Sequence, residues 1–576
     1  MHLAFANTNR LARLHWHQEK CHRAIPNLPN LFRPSFHPLV LALALISTFW
    51  DCKTQIEAHP AVVYQQEATF KNARPFKFKH LLGSFCPRVL CDSRNMRRVL
   101  SGLLAVMLPG AAADLQRAID ALLDASPVAH ASVGIHVLDL KTGASLYSRN
   151  ADRLYLPASN MKLFTGALAL ERLGPDYLMT TRLVRARSGD LILVGGGDPS
   201  LSGRAYPYQK DAPAANALRA IEDLADQAVA AGVQSVDGDI VGDDQLYPWA
   251  PYPPSWTEDD MIGEDGAPVS ALTVNDNVIS LSIRPAAEAG ELAAIAFDPA
   301  IEYYAVDNHV LTIAGSREAR IRLSRMPGSR QLIVWGSIPL AGQAVRETVA
   351  VDDPALFAAF ALYDALLRRG VAIRGRPVAR HRGSFDDPWP IDGDVIAART
   401  SPPLVDTLQV IEKVSQNLHA ELMLREVARV TRGSGTRESG LEEMGLWMAK
   451  IGIKADEWRA EDGSGLSRND QVSPKAVTRM LSYMAASKNG SAWLSLLPVG
   501  GEDGTLSRRL CCASDGRDAK QVRAKTGSLA RAITLSGYAD SKTRGRLAFS
   551  ILVNNFSAPQ AEVRAWVDKI AMTLID

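Results

Sequence analysis

Both ends of this chain read as strands followed by a helix, while the long middle reads almost wholly as strands. That arrangement limits the fold more than any single motif does. Near the start, "ASVGIHVLDLKTGASLYSRNADRLYLPAS" alternates apolar and polar residues on both sides of Lys141-Thr142-Gly143, which predicts two strands joined by a tight turn. "NMKLFTGALALERLG" then carries apolar residues at helical spacing and stops at Gly174, a natural C-terminal cap. The far end gives three strands, "QVRAKTGSL", "AITLSGYAD" and "RLAFSILVNN", and then the helix "PQAEVRAWVDKIAMTLI". Between the ends lie the strand-like runs "TTRLVRA", "DLILVGGGD", "VDGDIVGDD", "VISLSIRP", "HVLTIAG", "ARIRLSRM" and "RQLIVWGSIP". Helical patterns there are sparse, chiefly "AANALRAIEDLADQAVAAG" and "PALFAAFALYDALLRRG", and they resume in "PLVDTLQVIEKVSQNLHAELMLREVARV" and "VSPKAVTRMLSYMAAS". The order predicts one α/β domain interrupted by a large β-rich insertion.

The length, 576 residues, accommodates two to four domains. A net charge of +2 gives no case for a nucleic-acid or anionic-membrane partner. No apolar run approaches the roughly 20 residues that a spanning helix needs. The longest, "LVLALALISTFW" from Leu39 to Trp50, reads as a signal-like or buried segment. "LVGGGDPSL" lacks the Gly-Lys-Ser/Thr end of a phosphate loop and reads as a glycine-rich turn.

Residues 1–95 show no sustained period and hold Cys21, Cys52, Cys86 and Cys91, four of the six cysteines. His15, His17, Cys21 and His22 match no common zinc spacing, so no metal is assigned. Over residues 96–113, "MRRVLSGLLAVMLPGAAA" opens with a basic start, continues apolar and ends in Ala111-Ala112-Ala113, the three parts of a secretory signal. A short buried helix is the alternative. On the signal reading the mature protein begins near Asp114 and works in the periplasm or cell-wall space. Residues 1–95 are then a non-structural extension or the product of a misplaced start codon. Only Cys511 and Cys512 remain, and adjacent cysteines rarely bond to each other without strain.

The chemistry-bearing residues are spread along the chain. In "LPASNMKLFTG", Ser159 stands where loop becomes helix and Lys162 follows three residues later, on the same face. A serine hydroxyl needs a base, and a lysine serves once burial and the helix N-terminus lower its pKa. A lone Ser-x-x-Lys reads equally as an N-cap serine with an exposed lysine. Its company decides: "EKVSQNLHAELML" supplies Ser415 and Asn417, and "RAKTGS" supplies Lys525, Thr526, Gly527 and Ser528, in the order of the Ser-x-x-Lys, Ser-Asp-Asn and Lys-Thr-Gly triad of serine acyl-transfer enzymes. Here Gln416 replaces the central Asp. Ser415 can relay a proton, Asn417 can hold Lys162 and a substrate carbonyl, Lys525 adds positive potential, and Thr526 can grip a carboxylate. Gly527 and Ser528 let a substrate approach the backbone. Two other Ser-x-Asn matches compete: Ser148 with Asn150 lies upstream of the nucleophile, and Ser467 with Asn469 sits in the loop-like "EDGSGLSRNDQVSP". Ser415 is preferred because its segment reads as helical with apolar neighbours.

These motifs, with "GGGDPSL", "GAPVSALTVNDN", "DGSGLSRND" and "LPVGGEDGTLSRR", resemble the D-alanyl-D-alanine carboxypeptidase/endopeptidase family, the class C low-molecular-mass penicillin-binding proteins, from about Asp114 to Asp576. About 250 residues separate Lys162 from Ser415, which resembles that family's habit of inserting extra domains. The resemblance implies a β-lactamase/transpeptidase-like domain, an antiparallel sheet flanked by helices, formed by residues 114–183 and 395–576. Residues 184–394 would form a second domain with a third nested at about 285–345. It further implies an acyl-enzyme on Ser159 formed from peptidoglycan stem peptides, an oxyanion hole of the Ser159 and Ser528 N–H groups, inhibition by β-lactam antibiotics, and no cofactor. An acid near "PPSWTEDDM" would face the substrate side chain, with Asp260 the candidate and Asp259 close behind. The rival readings are a β-lactamase or esterase on the same machinery, which the long insertion disfavours, and a non-catalytic wall-binding protein, which has no need of all five polar residues.

Overall fold

The computed structural model describes residues 110–576 apart from Ala129, Ala214 and 511–516. The expectations for residues 1–95, for their histidines and cysteines, and for Cys511 and Cys512 lie outside the described residues. So does most of the signal-like stretch, whose last residues open the helix Gly110–Asp124.

One five-stranded antiparallel sheet unites the two ends of the described chain. Its order is Val522–Leu529, Ala532–Ser541, Gly545–Asn554, Ser132–Asp139 and Ser145–Arg149. Side chains alternate across a strand, and Gly545–Asn554 uses that alternation fully. Leu547, Phe549, Ile551 and Val553 pack with Ile119, Val563, Trp566 and Ile570 from helices Gly110–Asp124 and Gln560–Thr573. Ala548 and Leu552 face the opposite way, into a core with Phe164, Leu168, Met480 and Trp493. Burying one such large apolar side chain stabilises the fold by about 1.5–3 kcal/mol. A sheet covered on both faces is therefore a rigid frame for whatever its edge carries.

The middle of the chain builds further sheets, the smallest a parallel pair of Ser235–Val236 and Ala372–Ile373. Strands Pro377–Arg380, Ile240–Asp243, Leu191–Val194, Thr180–Ala186 and Gly393–Thr400 form a mixed sheet. Thr180–Ala186 and Gly393–Thr400 pair with each other although about 200 residues separate them. Val345–Ala350, Val278–Arg284 and Ala294–Asp298 make a three-stranded sheet, and Arg320–Ser324, Gln331–Pro339 and Ala305–Ile313 make another. The triple glycine follows Leu191–Val194 as a turn, where a Cβ at Gly196 would stand 2.1 Å from the Thr180 carbonyl oxygen. Only glycine permits that approach.

One expectation needs correction. The long helical pattern through Ser415 is broken into helices Leu404–Lys413 and Asn417–Arg432, with Ser415 left-handed between them at φ 68°. Gln416 accounts for the restart, since its side-chain oxygen accepts the Leu418 N–H at 2.7 Å and satisfies a donor the new helix leaves unpaired. Apolar periodicity continues across the break, so the pattern alone hides it. Among the described residues no helix is long and apolar enough to cross a membrane.

Candidate active site

Ser159 lies in the single turn Ala158–Asn160, which leads directly into helix Met161–Leu173. Three contacts fix this turn. Asn160 Nδ2 donates to the Lys525 carbonyl at 2.9 Å, and Thr534 Oγ1 donates to the Pro157 carbonyl at 2.9 Å. Gly465 comes so close behind that a Cβ there would be 1.9 Å from the Ala158 carbonyl oxygen. Ala158 itself sits at φ 47°, a left-handed conformation that costs about 1 kcal/mol or more for a residue other than glycine. Strain of this kind persists only where the surroundings enforce it.

Lys162 is fully buried one helical turn beyond Ser159. Its Nζ is 3.1 Å from Ser159 Oγ, 2.5 Å from Asn417 Oδ1 and 2.6 Å from the Ser464 carbonyl oxygen. Two of these partners are carbonyl oxygens and can only accept. A neutral amine satisfies them with its two N–H groups and turns its lone pair to the Ser159 hydroxyl, the geometry of a general base. Burial drives the Lys162 pKa down to about 8, against the opposing pull of the carboxylates of Asp462, Glu412, Glu421 and Asp265. Asn417 is held the right way round because its Nδ2 donates to the Asp265 carbonyl at 2.8 Å, leaving Oδ1 for Lys162.

The second lysine approaches from the sheet. Lys525 is fully buried on the edge strand Val522–Leu529, and its Nζ donates to Ser415 Oγ at 2.8 Å and to the Thr526 carbonyl at 3.0 Å. Burial lowers its pKa, and repulsion from Lys162 lowers it further. Thr526 Oγ1 donates to Thr505 Oγ1 at 2.9 Å. A Cβ at Gly527 would lie 2.2 Å from Thr534 Oγ1 and 3.0 Å from the Ser159 nitrogen, so glycine lets the strand close onto the turn that carries Ser159. Ser528, next along, is exposed. The structure thus brings Ser159, Lys162, Ser415, Asn417 and Lys525 into one connected cluster. A cavity of about 250 Å³ opens beside it, lined by Arg204, Glu264, Asp265, Ser415, Gln416 and Asn417.

The competing matches lie elsewhere or serve otherwise. Lys141-Thr142-Gly143 is an exposed turn, with Gly143 at φ 72° and its N–H on the Asp139 carbonyl. Ser148 is exposed on the same hairpin, and Asn150 Nδ2 donates to the Val133 carbonyl. Ser467 is fully buried and accepts from Ser255 Oγ at 2.7 Å and from the Asn469 N–H at 3.0 Å. Its own N–H goes to Asp462, as do those of Ser464 and Gly465. Ser467 therefore braces the loop that presents the Ser464 carbonyl to Lys162. That loop is also pinned from outside by Glu421, which accepts the Gly463 N–H at 2.7 Å, and by Thr165, which donates to the Gly463 carbonyl at 2.6 Å.

Asp260 is engaged rather than free. It completes a capping box with Thr257 and forms a fork with Arg468, 2.9 Å from Nη2 to Oδ1. Burial raises its pKa, but hydrogen bonds from Arg468 and Thr257 outweigh that and hold it below the usual carboxylate range. Asp259 is exposed. Four contributors were not singled out by sequence: the Ser464 and Asp265 carbonyls, Thr505, and Glu412. The first two act through backbone oxygens, which any residue type supplies. Thr505 and Glu412 lie in stretches already quoted, but nothing in their spacing marks them.

The chain is similar to known proteins. The model of the D-Ala-D-Ala carboxypeptidase 3 (S13) family matches residues 115–574. The D-alanyl-D-alanine carboxypeptidase of Actinomadura sp. (strain R39) is 33% identical over 465 residues, covering 77% of this chain and 82% of that protein. Among solved structures, penicillin binding protein 4 (dacB) from Haemophilus influenzae superposes with a TM-score of 0.67 at 22% identity, over 81% of this chain and 98% of that one. The same protein complexed with a β-lactam superposes at 0.64 over 79% of this chain and 98% of that one, again at 22% identity. The chain belongs to the D-Ala-D-Ala carboxypeptidase 3 (S13) family.

Proposed function

We propose that Ser159 is the nucleophile of this serine DD-peptidase and that its substrate is the D-Ala–D-Ala end of a peptidoglycan stem peptide. Lys162 takes the Ser159 proton as Oγ attacks the penultimate D-Ala carbonyl. The Ser159 and Ser528 N–H groups receive the developing oxyanion. Ser415 passes the proton on to the departing D-Ala amine, and water then releases the shortened peptide from the acyl-enzyme. Lys525 and Thr526 hold the terminal carboxylate, and Gly527 keeps the strand within reach of it. A substrate side chain near the inserted region would meet the Asp260–Arg468 pair rather than a lone carboxylate. By the same reading the enzyme also opens D-Ala–diaminopimelate cross-links, is acylated by β-lactam antibiotics, and works outside the cytoplasm. Residues 184–394 act as an inserted domain with a third nested at about 285–345.

The observation that carries this reading is the Lys162 Nζ position, 3.1 Å from Ser159 Oγ with two carbonyl oxygens on its other sides. The test is incubation of the full chain with a stem pentapeptide while free D-Ala is measured. D-Ala release by the wild type and none by Ser159→Ala is expected. Equal release from both would remove Ser159 from the mechanism.

A further inference from the structure

Glu412 is fully buried in the last turn of helix Leu404–Lys413, three residues before Ser415. Among the described residues neither of its carboxyl oxygens has a hydrogen-bond partner. A buried carboxyl is normally paired, and an orphaned one at the negative end of a helix is doubly disfavoured. The charges it feels are Lys525 on the edge strand and Lys162 on the nucleophile helix. The adjacent Lys413 is committed elsewhere, to Asp503 and the Leu497 carbonyl. The nucleophile helix also leaves room for it: at Gly166 a Cβ would stand 2.6 Å from Glu412 Oε1. The carboxyl thus occupies a slot behind the site, facing both lysines and touching neither.

We propose that Glu412 is a positioning residue, a buried counter-ion that keeps one ammonium in the lysine pair while the other lysine is the neutral base. The charge count explains why one is needed. Two lysines buried together repel each other and shed protons. Lys162 also feels Asp462, Glu421 and Asp265, whereas among the described residues Glu412 is the one carboxylate that acts on Lys525. A neutral base suits Lys162, but a neutral Lys525 would lose its grip on a carboxylate and on Ser415. The Glu412 carboxylate offsets the Lys525 ammonium, which has no other carboxylate acting on it among the described residues. Burial raises the pKa of Glu412 and the lysines oppose that rise, as expected of a group whose charge depends on theirs.

The proposal rests on Lys162 and Lys525 being the active pair, and the test separates the two. Benzylpenicillin acylation rates of the full chain are measured across the neutral and alkaline range for the wild type, Glu412→Gln and Glu412→Asp. In the wild type the rate should rise as the base is freed and fall as the ammonium is lost. In E412Q both limbs should move towards acid, the alkaline one by about one pH unit or more. That reads as about a tenfold loss of rate on the alkaline side. E412D should lie between the two, while the melting temperature of E412Q falls, since the buried ammonium loses its counter-charge. An E412Q profile that is uniformly lower but unshifted would overturn the proposal and leave Glu412 a packing residue. Should the amide not fold, Glu412→Met removes the same charge and is read by the same shift. A wild type that is never acylated would instead defeat the reading of the site itself.

Discussion

Lys141-Thr142-Gly143 and Lys525-Thr526-Gly527 are identical triplets in opposite physical settings. In the first, Gly143 turns a hairpin at φ 72° with nothing within 4 Å of where its Cβ would stand, and Lys141 is exposed. In the second, glycine is needed for proximity: its absent side chain would strike Thr534 and crowd the Ser159 nitrogen. Lys525 is fully buried and bonded to Ser415. The first triplet turns the chain; the second closes the edge strand onto Ser159. Desolvation separates them, because a lysine taken out of water becomes sensitive to every neighbour.

The sharpest way to break the comparison is to remove each lysine. Lys525→Ala is expected to lower penicillin acylation by about a thousandfold, within the range for removing a group that acts on the transition state, while Lys141→Ala leaves it unchanged. Stopped-flow or gel-based acylation rates check both, and a loss in Lys141→Ala would erase the distinction. The two glycines come next. Gly527→Ala should cost about a hundredfold in acylation through displacement of the edge strand from Ser159. Gly143→Ala should leave acylation intact and cost about 1 kcal/mol in chemical denaturation, the penalty for alanine at positive φ.

The two competing serines, half-buried Ser415 and fully buried Ser467, extend the contrast. Ser415→Ala should reduce acylation about a hundredfold. Ser467→Ala should keep most activity and lose about 1 kcal/mol of stability from its bonds to Ser255 and Asn469. The reverse outcome, inactive Ser467→Ala with active Ser415→Ala, would reassign the middle motif. The smallest effect concerns pH. If Lys162 is the base proposed above it works unprotonated, so with its pKa lowered to about 8 the acylation rate should climb as pH rises through that value. A rate already flat below neutrality would place the base elsewhere.

Much of this was legible in the sequence because the signals were local. The opening hairpin, the helix after Ser159 with its glycine stop, and the three closing strands all follow from periodicity and turn chemistry. Motif order chose between the two Lys-Thr-Gly copies. What periodicity could not show was the break at Ser415, since apolar spacing runs through it and only a left-handed serine and a glutamine cap reveal it. Nor could it show that Ser467 braces a loop against Lys162, or that the Asp260 carboxylate is already held by Arg468. Those are contacts between segments about 200 or more residues apart for Asp260 and Arg468, and about 300 apart for Lys162 and its loop, fixed by the packing of the whole unit.

The central claim is that the second triplet, Ser415 and Lys162 converge on one nucleophile, Ser159. Peptide mapping by mass spectrometry after benzylpenicillin treatment tests it most directly. The predicted result is one equivalent of adduct on the peptide bearing Ser159, absent in Ser159→Ala. An adduct on any other serine, or equal labelling of the Ser159→Ala chain, would contradict it.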